Sequence, residues 1–181
     1  MPYHSYTHGE QLEKYKKYYA WLKDSHGKTP EEVADSVKKT FGPIGQLDKK
    51  YDLLEVDSAY LCNNIEWAFK VWREQPWGKN ISFEMFCEYL LPYRIDDEVL
   101  AYWREMYYDK YNQLLDSLKT SDSLDMEDPV VAANYLINTL PDKWHYYTST
   151  TPYSFGHIGP EYVQCLSGTC REVTDFTVYL F

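Results

Sequence analysis

From Glu10 to Leu140 the apolar residues recur three and four positions apart, and after Pro141 that spacing stops. A 3–4 period puts apolar side chains on one stripe of an α-helix, so this pattern decides the fold class before any other feature. The first stripe carries Leu12, Tyr15, Tyr19 and Leu22 and ends at Gly27. Thr29-Pro30-Glu31-Glu32 opens a second helix: Thr29 caps, Pro30 takes the first position, where its missing N–H is harmless, and Glu32 closes a capping box. Val33, Val37 and Phe41 form its apolar face, and Gly42-Pro43 stops it.

A third helix is expected from about Ser58 to Glu74, capped by Asp57, with Leu61, Ile65, Phe69 and Trp72 on its inner side. Ser82 begins a short helix that runs from Phe83 to Leu91 and closes at Pro92. The longest helix is expected over roughly Asp97 to Lys119, with Leu100, Trp103, Tyr107, Tyr111, Leu114 and Leu118 facing inward. Asp128-Pro129 starts another, with Val130, Ala133, Ile137 and Leu140 on one side. The expectation is a mainly α fold, an irregular array of about six or seven helices with no repeat period.

Residues 142–160, DKWHYYTSTTPYSFGHIGP, form an irregular Tyr/Thr-rich segment ahead of a short turn at Glu161–Leu166 and a final element after Cys170. Long irregular stretches of this kind commonly carry binding or catalytic groups. The last element is open from the sequence alone. Phe176 to Phe181 has strand propensity, yet Cys170 to Phe181 also suits a helix with one apolar face. Ending on apolar residues is read as truncation inside an element, so 173–181 is expected to dimerise or to repack at the C-terminus.

Charge and composition narrow the function. A formal net charge of −10, with basic residues in short pairs among acids, disfavours nucleic acid and anionic membrane surfaces as partners. No run approaches the roughly 18 apolar residues of a membrane span. The N-terminal MPYHSYTHGEQ lacks the basic and apolar regions of a signal peptide. Aromatic residues reach 18%, which a ring-built core explains better than a sugar- or protein-facing surface. His4 and His8 belong to a solvated tail, and the paired acids Asp96-Asp97 and Asp122/Asp125 are read as caps and loop residues. No metal or organic cofactor is indicated.

The four cysteines, at 62, 87, 165 and 170, form no CxxC pair. Cys62 and Cys87 fall inside helical patterns and are expected to pack as small hydrophobes. Cys170 is the candidate nucleophile. It follows Gly168-Thr169 at the first turn of the last element, and a helix N-terminus favours the negative charge of a thiolate. Acyl transfer on a thiol also needs a base and a group that orients it.

The run Asn63-Asn64-Ile65-Glu66-Trp67-Ala68-Phe69, then Pro76-Trp77, then Ser82 to Ile95 (SFEMFCEYLLPYRI), resembles bacterial transglutaminase-like proteins. In these a helical N-terminal region precedes a papain-like core. Gly168-Thr169-Cys170-Arg171-Glu172 is similar to their nucleophile site. The resemblance covers roughly residues 55 to 181. It implies three parts: a tail and two helices over 1–54, the family's helical region over 55–140, and the truncated start of the papain-like core over 141–181.

It also implies a thiol-based acyl transferase or peptide hydrolase in the whole protein, an extracytoplasmic setting in the periplasm or at the cell surface, and a further C-terminal part as partner. The family places its base histidine and orienting aspartate after the cysteine, yet no histidine follows Cys170 here. Asp175 comes too early, and His145 and His157 lie upstream, as does Trp144, a candidate oxyanion aid. The triad is incomplete, so this stretch alone is expected to be inactive. Glu88 and Arg94, inside the matched run, are expected to pair across the Pro92 turn. The alternative is a non-catalytic module that holds a glycan or protein, with Trp144, Tyr146, Tyr147 and Tyr153 as binding residues.

Overall fold

A computed structural model describes residues 4–7, 14, 17–18, 20–21, 24, 27–43, 48–120, 124–140, 144–146, 159–164, 167–168 and 170–181. The protein is mainly helical, as the periodicity predicts. Strand among the described residues is confined to two short two-stranded ladders. The chain divides into two compact units. The first comprises residues 1–55, 94–101 and 144–178, and the second comprises 56–93, 102–143 and 179–181.

In the first unit, β1 (His4–Thr7) pairs antiparallel with β2 (Asp48–Tyr51), so that His4 lies opposite Tyr51. Of the first expected helix, Lys14, Lys17, Tyr18, Ala20 and Trp21 are helical and Tyr18 is buried. The four residues of its expected stripe, Leu12, Tyr15, Tyr19 and Leu22, lie outside the described residues. Helix α1 (Pro30–Phe41) starts as its sequence dictates. The Thr29 hydroxyl accepts from the Glu32 amide at 3.2 Å while the Glu32 carboxylate accepts from the Thr29 amide at 2.8 Å. It ends at Gly42, whose φ of 76° favours a residue without Cβ. Val33, Ala34 and Val37 are buried, and Phe41 meets Trp21 edge-on at 6.3 Å.

A short turn, α2 (Asp52–Glu55), follows. Arg94 Nη2 lies 2.9 Å from Asp52 Oδ1, and both residues are buried. This corrects the expected pairing of Arg94 with Glu88, which is exposed. A buried guanidinium needs a buried counter-charge, and Asp52, distant in sequence, supplies one. The remaining elements of this unit are β3 (His145–Tyr146), α8 (Pro160–Val163), β4 (Ser167–Gly168) and the start of α9 (Cys170–Leu180).

The second unit opens with α3 (Ser58–Glu74), capped by Asp57 Oδ1, which accepts from the Tyr60 amide at 2.8 Å. Its buried residues are Tyr60, Asn64 and Ala68, whereas the expected inner residues Leu61 and Ile65 are exposed. The inner seam is thus turned by about one residue, or about 100°. Asn64 explains the turn, because a polar residue can sit inside when its amide is fully used. Asn64 Nδ2 donates to Leu91 O at 2.9 Å, and its Oδ1 accepts from Arg104 Nε at 2.7 Å. With the seam there, Cys62 falls on the outside. Both Cys62 and Cys87 are exposed rather than packed as hydrophobes.

A 3₁₀ turn (Pro76–Asn80) leads to α4 (Phe83–Met85), which Ser82 caps and which widens at once into a π-helical turn over Phe86–Leu90. The expected long helix begins later than its sequence implied, at Trp103: α5 (Trp103–Tyr111), a 3₁₀ turn (Asn112–Leu115) and α6 (Asp116–Lys119). The delay has a local cause. Buried Glu98 folds its carboxylate back onto the amides of Ile95 and Asp96, at 2.6 and 2.8 Å, which holds that stretch as a turn.

Helix α7 (Pro129–Thr139) is capped by Asp128, and it buries Ala132 and Leu136 while the expected Val130 and Ile137 are exposed. Leu115, Leu118, Ala132 and Leu136 make the apolar centre of this unit, with Trp77, Tyr135 and Leu180 against it. Ring burial is its other support: Tyr60, Phe86, Trp103, Tyr107, Tyr111 and Tyr179 are all inside. Among the described residues no helix is long and apolar enough to cross a membrane.

Candidate functional site

The final element, left open between strand and helix by its sequence, is helical from Cys170 to Leu180. The spacing of its buried residues explains the outcome. Glu172, Asp175, Phe176 and Tyr179 fall at i, i+3, i+4 and i+7, a single helical seam, whereas a strand would place them on both faces. The hydroxyls of Thr174 and Thr177 donate to Cys170 O and Val173 O, at 2.8 and 2.7 Å, which lets two β-branched residues sit in a helix. Cys170, Arg171, Thr174 and Val178 lie on the exposed side.

Cys170 is therefore an exposed thiol at the first residue of an eleven-residue helix. The unsatisfied amides of a first turn carry partial positive charge, which favours an anion there. Beside it, β3 and β4 run parallel, with His145 opposite Ser167 and Tyr146 opposite Gly168. His145 and Tyr146 are thereby laid alongside Ser167 and Gly168, which end two residues ahead of Cys170. The Trp144 ring stands 6.0 Å from that of Phe176 on α9, tilted by 38°. That contact makes Trp144 a packing residue of the helix. The side chains of His145 and Tyr146 lie outside the described residues, and so do Tyr147, Tyr153 and His157 altogether.

The run SFEMFCEYLLPY, residues 82–93, builds a polar hub in the second unit. In a π-turn each amide reaches back five residues, and the Leu91 amide does so to Phe86 O at 2.9 Å. The turn leaves the carbonyls at its end facing sideways. Arg104 Nη2 donates to Leu90 O and, at 3.0 Å, to Pro92 O, while its Nε holds Asn64. Its guanidinium also lies over the Trp103 ring, 4.3 Å from the centroid. Burial lowers the Arg104 pKa to about 10, partly offset by Tyr60, and leaves it charged at neutral pH. Sequence reasoning missed Arg104, because nothing local distinguishes it from a surface arginine on an acidic helix.

Tyr108 donates to Glu74 Oε2 at 3.0 Å. Burial first, and then the Glu74 carboxylate, raise the Tyr108 pKa. Lys70 Nζ stands over both the Trp67 and Tyr108 rings, at 4.1 and 4.3 Å from their centroids. These contacts brace the outer side of α3 and α5. No protein-family model, curated protein or solved structure matches the chain.

Proposed function

We propose that the chain is the helical N-terminal part of a transglutaminase-like protein, with Cys170 at the nucleophile position of a thiol-based acyl-transfer or peptide-hydrolysis site. The observation that supports this most is the exposed Cys170 thiol at the start of a helix whose opposite side is buried. A thiolate attacking an acyl carbonyl needs that combination: access for the substrate, a rigid support, and positive potential beside the sulfur. The reading needs a base histidine after the cysteine, and residues 171–181 contain none, so this stretch by itself is expected not to turn over substrate.

Iodoacetamide modification followed by peptide mass spectrometry tests the assignment. Cys62, Cys87 and Cys170 are all exposed, so access does not separate them. Stabilisation by the helix terminus corresponds to roughly two- to fivefold faster alkylation of Cys170 near neutral pH. Equal rates for the three thiols would remove the support. A non-catalytic glycan- or protein-binding module is the second reading, favoured by the exposed rings of Phe83, Tyr89 and Tyr102. Binding of a glycan that protects these rings from oxidative footprinting, with an inert Cys170, would move this reading ahead.

A further inference from the structure

Arg104 is a mostly buried cation, and none of the ion pairs among the described residues involves it. Its Nε donates to Asn64 Oδ1 and its Nη2 to the carbonyls of Leu90 and Pro92, all of them neutral acceptors. The two N–H groups of Nη1 meet no acceptor among the described residues, and they are not sealed from a water-sized molecule. A guanidinium buried without a counter-charge is costly, and that burial is what lowers the Arg104 pKa. Three hydrogen bonds and the adjoining Trp103 ring hold the group in place.

Arg104 also lines a cavity of about 390 Å³ in the second unit, walled by α3, the 3₁₀ turn after it, the π-turn, α5, α7 and residues 179–181. That volume falls in the range of small-ligand sites. Its walls are mostly rings held by one another, Trp72 stacked on Phe86 at 4.5 Å and Trp103 edge-on to Tyr107 at 6.0 Å, so the space is formed in advance. With Nε and Nη2 committed, Nη1 is the part of this guanidinium left for a guest. Among the described residues no Asp, Glu, Lys or His side chain lines the cavity. The other ionic group there is the terminal carboxylate of Phe181, a residue 41% exposed, where solvent screens charge far more than it does around Arg104. The cation therefore sets the sign of the guest. One free nitrogen among apolar walls leaves no partner for a second charge, which disfavours dianions. We propose that the cavity binds an aromatic monocarboxylate, its ring among the aromatic walls and its carboxylate accepting from Arg104 Nη1. The site is independent of Cys170.

Calorimetric titration of the full chain with indole-3-acetate, indole-3-acetamide and tryptamine tests this with one ring system and three charges. The acetate is expected to bind one to one with a dissociation constant below about 1 mM, the neutral amide about tenfold more weakly, and the cationic amine more weakly still. Ala133→Phe, which fills the cavity from α7, is expected to abolish the acetate heat while circular dichroism shows the wild-type helix content. The three ligands carry the test on the wild-type chain alone, should that variant not fold. Absence of saturable acetate binding, an amide that binds as tightly as the acetate, or undiminished binding to folded Ala133→Phe would each overturn the proposal. So would tryptamine binding as tightly as the acetate, which would give the guest to the Phe181 carboxylate instead of Arg104.

Discussion

Arg104 and Asn64 meet through a 2.7 Å hydrogen bond from Nε to Oδ1, and between them they take the carbonyls of Leu90, Leu91 and Pro92. Two side chains on separate helices thus terminate a third. Replacing Arg104 with Met leaves two carbonyls and the Asn64 oxygen without donors. The expected loss is about 3 kcal/mol in denaturant unfolding. Asn64→Leu alone and the double variant complete a cycle, and a coupling energy below about 0.5 kcal/mol would show that the two act separately.

Gly78 sits where a Cβ would lie 1.8 Å from Trp72 O. Backbone cannot yield at that distance without displacing α3 from the 3₁₀ turn. Gly78→Ala is therefore expected to cost about 3 kcal/mol or more, read from the urea midpoint at unchanged slope. A midpoint within experimental error of wild type would mean that the approach of the two segments is not needed.

Tyr108 holds its proton above the ordinary tyrosine value. The folded state therefore keeps a proton that the unfolded chain releases near pH 10, and this contribution to stability is complete below pH 10. It is lost as pH rises through the raised value. Wild type should fall in melting temperature relative to Tyr108→Phe above pH 10 and not below it. Ultraviolet titration at 295 nm should show the Tyr108 midpoint moving down in Glu74→Gln, though not fully, since burial is the larger cause.

Leu136 and Ile137 are neighbours with opposite surroundings, the first buried and the second exposed. Leu136→Ala is expected to cost about 3 kcal/mol and Ile137→Ala less than about 0.5. Equal costs would place the seam of α7 where the sequence pattern first put it.

That pair shows what the sequence reveals and what it hides. The starts of α1, α3, α4 and α7 were legible because Thr29, Asp57, Ser82 and Asp128 act on amides two or three residues away. Which side of each helix faces inward was less legible. Periodicity counts Asn64 as an outside residue, and only Arg104, forty positions on, makes it an inside one. The late start at Trp103 depends on a Glu98 carboxylate that turns backward, a choice propensity does not encode. At the candidate site, the sequence singled out Cys170 and its position at a turn into the last element. Whether that element is helix or strand depended on four buried positions that share a seam only as a helix.

The π-turn at Phe86–Leu90 holds one residue more than an α-helix of the same rise would need. Such a turn behaves like a single-residue insertion that the helix has absorbed rather than expelled as a loop. Removing one residue from it should restore α-helical geometry and rotate everything from Leu91 onward by about 100° about the axis. The carbonyls now offered to Arg104 would then point elsewhere. One codon's worth of length in this stretch therefore sets the orientation of all the chain that leaves it.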